Sequence, residues 1–211
     1  MSLFDRLQPL VSKTLSFHVK NAPGVVIGVY MVDYALELLS GLYPGRDSYT
    51  LNAICETRVC LADPIQVLTG CTFGNKYLRL NAVDYGRYAL ILYNRDTAVG
   101  YRVYVDIQKI DGGKYPQLFA FFNKSRDYKS ASRSALGEET IREFYCAQRS
   151  IFSYSKVKIN ISAKDAVEPA AICSTCGESF LTSAPSISES PVCEYCSRLA
   201  SKDSVPFEIT E

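Results

Sequence analysis

From Val25 to Leu39 the chain is apolar on nearly every face of a helix, and this run restricts the fold more than any other. A helix without a polar stripe must be enclosed. Gly28 lets a neighbouring backbone come close, and Ser40-Gly41 is a natural stop. The longest unbroken apolar piece, Val25–Val32, is too short to cross a bilayer and holds Gly28 and Tyr30. The segment is therefore expected at the centre of a core. A hydrophobic fraction of 47% is enough to build that core and argues against disorder. A length of 211 residues fits one medium domain with an appendage, or two small domains.

The neighbouring segments supply what could enclose it. Leu3, Phe4, Leu7, Leu10, Val11 and Leu15 recur at helical spacing, predicting an amphipathic helix over 2–17 that Ser2 caps and Pro9 kinks or restarts. A polar turn, Phe17 to Gly24, leads into the central helix, and residues 44–48 form another turn. Thr50–Arg58 alternates like a strand, and Lys76–Asn81 reads as a shorter one. Tyr88–Tyr93 and Val99–Val105 are strong β-formers across Asn94–Ala98, the clearest hairpin in the chain. Pro116–Asn123 and Glu138–Phe152 read as helices, Lys124–Leu136 as a basic, serine-rich solvated loop, and Ser155–Ile161 as a closing strand. The expected class is α+β, with helices packed on a small mixed sheet over residues 1–165. A linker at 162–171 leads to a separate unit over 166–211.

That second unit is defined by cysteines. Cys173 and Cys176 form one C-x2-C pair, Cys193 and Cys196 another, sixteen residues on. The spacing is that of a structural zinc site: each pair makes a tight knuckle, and four thiolates complete a tetrahedron. The segment between has few large apolar groups, so the metal has to supply its folding energy. Two redox dithiols or unused cysteines are the rival readings. A net charge of +1 argues against a dedicated nucleic-acid binder, which needs a basic face. The N-terminal residues lack the pattern of a signal peptide, so the cytoplasm is the expected compartment.

Between Cys60 and Asn75 lies the chemistry of the core. Asp63 and Pro64 suit a helix start and Gly70 a stop. Asp63, Gln66, Thr69, Thr72 and Asn75 then recur at about helical spacing, either as one wall of a pocket or as a polar face turned to water. Cys55 and Cys146 fall on apolar faces and read as core.

From Phe17 to Asp106 the chain resembles the FmdE family, named for a component of formylmethanofuran dehydrogenase. The residues that carry the resemblance are Pro23-Gly24, Cys60, Asp63, Ile65-Gln66, Thr69-Gly70-Cys71-Thr72, Gly74, Tyr85-Gly86 and Tyr93-Asn94-Arg95. The resemblance implies an α+β core, usually dimeric, often with a C-terminal zinc finger, and a link to molybdenum- or tungsten-dependent formylmethanofuran dehydrogenase. The family's N-terminal motif resembles Phe-His-Gly-His-x-Cys-Pro-Gly. Here the first histidine is His18, the only one in the chain, while Lys20 and Ala22 stand where the second histidine and the cysteine belong. Two soft ligands are replaced, one by an ammonium that repels cations and attracts anions.

The candidate pocket residues are therefore His18, Lys20, Cys60, Asp63, Gln66, Thr69 and Cys71. His18 with Cys60 and Cys71 is a marginal metal set; the thiols are alternatively reactive groups or inert core. The first functional reading is a zinc-binding FmdE-like accessory or partner-binding component in C1 metabolism, a homodimer, taking a protein partner or a small anionic or polar ligand. The alternatives are a metal- or thiol-dependent enzyme using His18 and Cys60, and a zinc-finger regulatory adaptor with a ligand-sensing core.

Overall fold

The structure, a computed structural model, describes residues 1–42, 50–80, 86–129, 131–160, 169–182 and 190–201. It divides into two units, Met1–Asn160 and Ile161–Glu211. The first opens with α1 (Leu3–His18), where Ser2 and Asp5 form a reciprocal capping box. The helix runs through Pro9 without interruption and ends at Val19 in the left-handed region. Next comes α2 (Pro23–Leu42), then β1 (Leu51–Cys55), α3 (Ala62–Thr69), β2 (Leu78–Leu80), β3 (Ala89–Asn94) and β4 (Val99–Val105). After a short 3-10 turn follow α4 (Pro116–Asn123), α5 (Arg133–Ala147), a second 3-10 turn and β5 (Phe152–Lys158).

The sheet has the order β2-β1-β3-β4-β5, with β1 and β2 parallel and the other neighbours antiparallel. Register puts Ala53, Leu92 and Tyr101 in one row and Cys55, Leu90 and Val103 in the next, on the face that meets α2. Ile54, Ile91 and Arg102 align on the opposite face, where Glu56 follows Ile54 at the end of β1. This alternation is why a charged pair can sit beside an apolar core.

α2 is enclosed by its own chain. α1, α3 and α5 pack against it and β3 and β4 lie beneath it, with Val25–Val32 fully buried. It is the one helix among the described residues long and apolar enough to cross a membrane, and burial in the core accounts for that composition. Tyr30, inaccessible to solvent, meets the edge of Phe144 with ring centroids 5.1 Å apart. Asp33, the one acid of α2 that is buried, accepts two bonds from Arg6, at 2.7 and 2.8 Å, and pairs with Arg149. Two cations on one carboxylate make its burial tolerable.

Several expectations shift at their edges. α5 begins at Arg133 rather than Glu138, because Ser132 caps it with its hydroxyl on Ala135 N–H. β5 begins at Phe152, and β1 stops at Cys55, three residues short of Arg58. Cys146 is exposed, not core, since α5 presents it away from α2, while Cys55 is buried. The expected turn at 44–48 and most of the 162–171 linker lie outside the described residues.

In the second unit β6 (Ala170–Ile172) and β7 (Ser179–Leu181) form an antiparallel pair, and α6 (Glu194–Ala200) follows directly on Cys193, its N-cap. Gly177, with φ +76°, takes the sharp turn after the first knuckle.

Candidate functional site

Cys60 sits on a strained turn between β1 and α3. Its φ is +50°, and the N–H of Leu61 donates to the carbonyl of Val59 at 2.5 Å, closing a γ-turn around it. A side-chain-bearing residue in this region costs on the order of 1 kcal/mol and is held there only by its surroundings. Here the surroundings are α2 and Tyr88. A Cβ added to Gly24 would lie 2.9 Å from Cys60 Cβ and 3.2 Å from its Sγ, so only glycine lets α2 approach this closely. The Tyr88 hydroxyl donates to the Gly24 carbonyl, tying β3 to the same place.

His18, the last residue of α1, comes to this turn from the other side. Its Nδ1 lies 2.5 Å from Asp63 Oδ2 and its Nε2 4.0 Å from Cys60 Sγ. A carboxylate can only accept, so Nδ1 carries the proton and, in the neutral ring, the Nε2 lone pair faces the thiol. Asp63 thus orients the imidazole instead of capping α3, whose N-cap is Leu61 without a side-chain bond. The local sequence signal for a cap was real, but a partner 45 positions away in sequence takes the carboxylate.

Beyond the thiol opens a cleft of about 230 Å³. Phe121, Phe122 and Tyr104 supply apolar walls, and Arg87, Arg102 and Lys124 bring three cations. Glu56, almost inaccessible, fixes two of them: Arg102 grips it with two bonds of 2.7 and 2.8 Å, and Arg87 reaches it at 3.1 Å. Arg102 chiefly, then Arg87, holds the Glu56 carboxyl below its usual range against the opposing effect of burial. Burial, then the Asp63 carboxylate, pushes the Cys60 thiol up, while Lys124 acts the other way. Burial also raises Tyr88 well above its ordinary value, so its hydroxyl stays a donor.

The other sequence candidates have different settings. Thr69 is buried and bonds Ile65 O and Cys71 N–H within α3 and its cap. Cys71 is buried with Sγ directed at Leu51 O, and burial raises its thiol as well. Thr72 and Asn75 lock each other in the turn after Gly70. Gln66 is half-buried one turn along α3 from Asp63. Lys20 is exposed past the end of α1, and among the described residues no bond joins it to His18, Cys60 or Asp63. Of the pocket candidates the structure thus joins His18, Cys60 and Asp63. The sequence does not single out Arg87, Arg102, Tyr88 or Glu56, and it marks Lys124 only as part of a basic loop; the one signal is a pair of unlike charges, Glu56 and Arg102, inside two strand patterns that meet across β3.

In the second unit the sulfurs of Cys173, Cys176, Cys193 and Cys196 all lie within 4.8 Å of one another, and Cys176 and Cys193 are 4.0 Å apart. Four thiolates around zinc at about 2.3 Å stand roughly 3.8 Å apart, so the set fits a tetrahedral ion with small adjustment. Backbone N–H groups, that of Cys193 foremost, hold the Cys173 thiol down at about 6, whereas burial and the neighbouring sulfurs push Cys196 up to about 12. Four thiols this close cannot ionise together without a cation between them. It is the only group of three or more metal-ligating side chains gathered this way among the described residues.

Helices on a mixed five-stranded sheet, a thiol–imidazole–carboxylate chain beside a cationic cleft and an appendage with four clustered cysteines define an α+β class of protein with a site suited to a metal. The sequence profile described as "FmdE, Molybdenum formylmethanofuran dehydrogenase operon" matches residues 17–153, and the chain belongs to the FmdE family. A crystal structure of a tungsten formylmethanofuran dehydrogenase FmdE-like protein from Syntrophus aciditrophicus is similar at 30% identity, with a TM-score of 0.68 over 90% of this chain and 91% of that one. A probable S-adenosyl-L-methionine-binding protein of Archaeoglobus fulgidus is 34% identical over 122 residues, 57% of this chain. The match spans 33% of that relative's length.

Proposed function

We propose that this protein is an accessory, partner-binding component related to molybdenum or tungsten formylmethanofuran dehydrogenase, with one structural zinc in its C-terminal unit. The observation that carries the reading is family membership over 17–153 joined to a fold shared along nine-tenths of the chain with an FmdE-like protein. The cationic cleft supports a small anionic or polar ligand, because Arg87, Arg102 and Lys124 all line it, the first two held by Glu56. A cytoplasmic setting accords with the four-cysteine set, which a reducing compartment keeps free of disulfides. Self-association as a homodimer belongs to the same reading. Its support is the apolar side chains left exposed on and just past α1, Phe4, Phe17 and Val19, rather than α2, which its own chain covers.

The test is purification of the tagged chain from its own organism under mild conditions, followed by elemental analysis of the eluate. Molybdenum or tungsten in stoichiometric ratio to the chain supports the accessory role. Complete absence of both from cells that contain the dehydrogenase contradicts it.

A further inference from the structure

Two features of the core stand outside the accessory reading, a thiol on a strained turn and an oriented imidazole facing it, and the thiol lines the cationic cleft. We propose that Cys60 is a nucleophile for small anionic molecules that present an electrophilic carbon, with His18 as its base, Asp63 as the group that positions His18, and Arg102 and Lys124 as the anion-holding side of the cleft.

The arrangement follows from independent parts of the chain. Positive φ at Cys60 and the γ-turn lift the thiol out of the strand–helix connection, at the cleft wall. Nucleophilic thiols need a base within reach and a third group that fixes that base. Nε2 of His18 stands 4.0 Å from Sγ, a separation that shortens when a substrate closes the site, and Asp63 fixes the ring at 2.5 Å. The N-terminal turn of α2, a 20-residue helix, lies against the thiol at Gly24, and its dipole favours the thiolate. Because burial and Asp63 oppose free ionisation, the thiolate forms when His18 takes the proton during attack. In the step, a bond forms between Sγ and the electrophilic carbon, the leaving group departs with its electron pair, and the thiol proton passes to Nε2.

The same geometry disfavours the metal alternative. Among the described residues no third ligand joins His18 and Cys60: Lys20 is an exposed cation past the end of α1, Ala22 offers no ligand atom, and Cys71 is directed at the Leu51 carbonyl inside the core. Anion preference comes from the opposite wall. Lys124 stands on the cleft wall with Arg102, whose guanidinium Glu56 holds in place, and the cleft's aromatic walls lower the local dielectric and strengthen their pull on an anion.

The experiment uses full-length, zinc-loaded protein, the two probes iodoacetate and iodoacetamide, and peptide mapping that follows Cys60 against exposed Cys146 in the same molecule. A thiolate in water repels iodoacetate, so Cys146 is expected to favour iodoacetamide. Cys60 is expected to react at least tenfold faster than Cys146 with iodoacetate, with the charge preference reversed. His18→Ala should lower the Cys60 rate at least tenfold and leave the Cys146 rate unchanged. Lys124→Gln should lower the iodoacetate rate several-fold and leave iodoacetamide unchanged, a readout that general loosening would not give. Arg102→Lys is the weaker partner test, since Arg102 also holds Glu56. Cys60 reacting no faster than Cys146, or sharing its charge preference, overturns the proposal. So does a second zinc equivalent that shields Cys60.

Discussion

Gly24→Ala perturbs the core where helix α2 touches the Cys60 turn. The new Cβ would stand 2.9 Å from Cys60 Cβ, 3.2 Å from Sγ and 3.3 Å from the Tyr88 hydroxyl. Cys60 Cβ is anchored to a constrained backbone and cannot swing aside, so α2 and the turn must part by a few tenths of an ångström. Overpacking of this kind costs about 1–3 kcal/mol. Alanine's smaller freedom in the unfolded chain returns about 0.4–1 kcal/mol. The net loss is about 1–2 kcal/mol, or a fall in Tm of roughly 3–6 °C for a chain of this size. Urea titration and thermal melts measure it. Cys60→Gly supplies the control, because it removes the two closest contacts, leaves only the Tyr88 hydroxyl at 3.3 Å, and suits the positive φ. In that background Gly24→Ala should be close to neutral. An equal loss in both backgrounds, or no loss in either, would refute the contact argument.

Further outcomes follow from the same structure. Glu56→Gln should destabilise the core by about 3 kcal/mol in denaturant titration, because Arg102 and Arg87 lose a buried counter-charge. Glu56 contributes fully above its ordinary value of 4.5, and the contribution fades as pH falls through its depressed native value. The wild type should therefore lose stability on acidification more steeply than the Gln variant; parallel acid curves would refute the pairing. Cys176→Ser should unfold the second unit and leave the far-UV signal of the core intact, whereas collapse of the whole spectrum would show that the two units fold together. Light scattering in dilute solution should give twice the 23.5 kDa chain mass, and a clean monomer would remove the homodimer from the account.

What sequence could tell depended on the range of the signal. α2, the β3–β4 hairpin and α4 were legible because their patterns are local: apolar on all faces, alternating, or opened by proline. The start of α5 was obscured by the basic, serine-rich composition around Ser132 and Arg133. His18, Cys60 and Asp63 were legible singly, but not as a chain, because tertiary packing of α1 against α3 sets the 2.5 Å contact. The cationic wall was illegible for the same reason: β4 supplies Arg102, the approach to β3 Arg87 and the end of α4 Lys124. Thr69, Thr72 and Asn75 had the right spacing for a pocket wall, yet short-range hydrogen bonds in the cap and turn take up their polar groups.

Metal content tests the account most directly, because it separates a structural four-cysteine site from a core whose chemistry is that of thiol and imidazole. Elemental analysis should find one zinc per full-length chain and none in Cys176→Ser, with His18→Ala unchanged at one. Two metals per chain, one of them surviving Cys176→Ser and lost with His18→Ala, would contradict the account and make the core a metal centre.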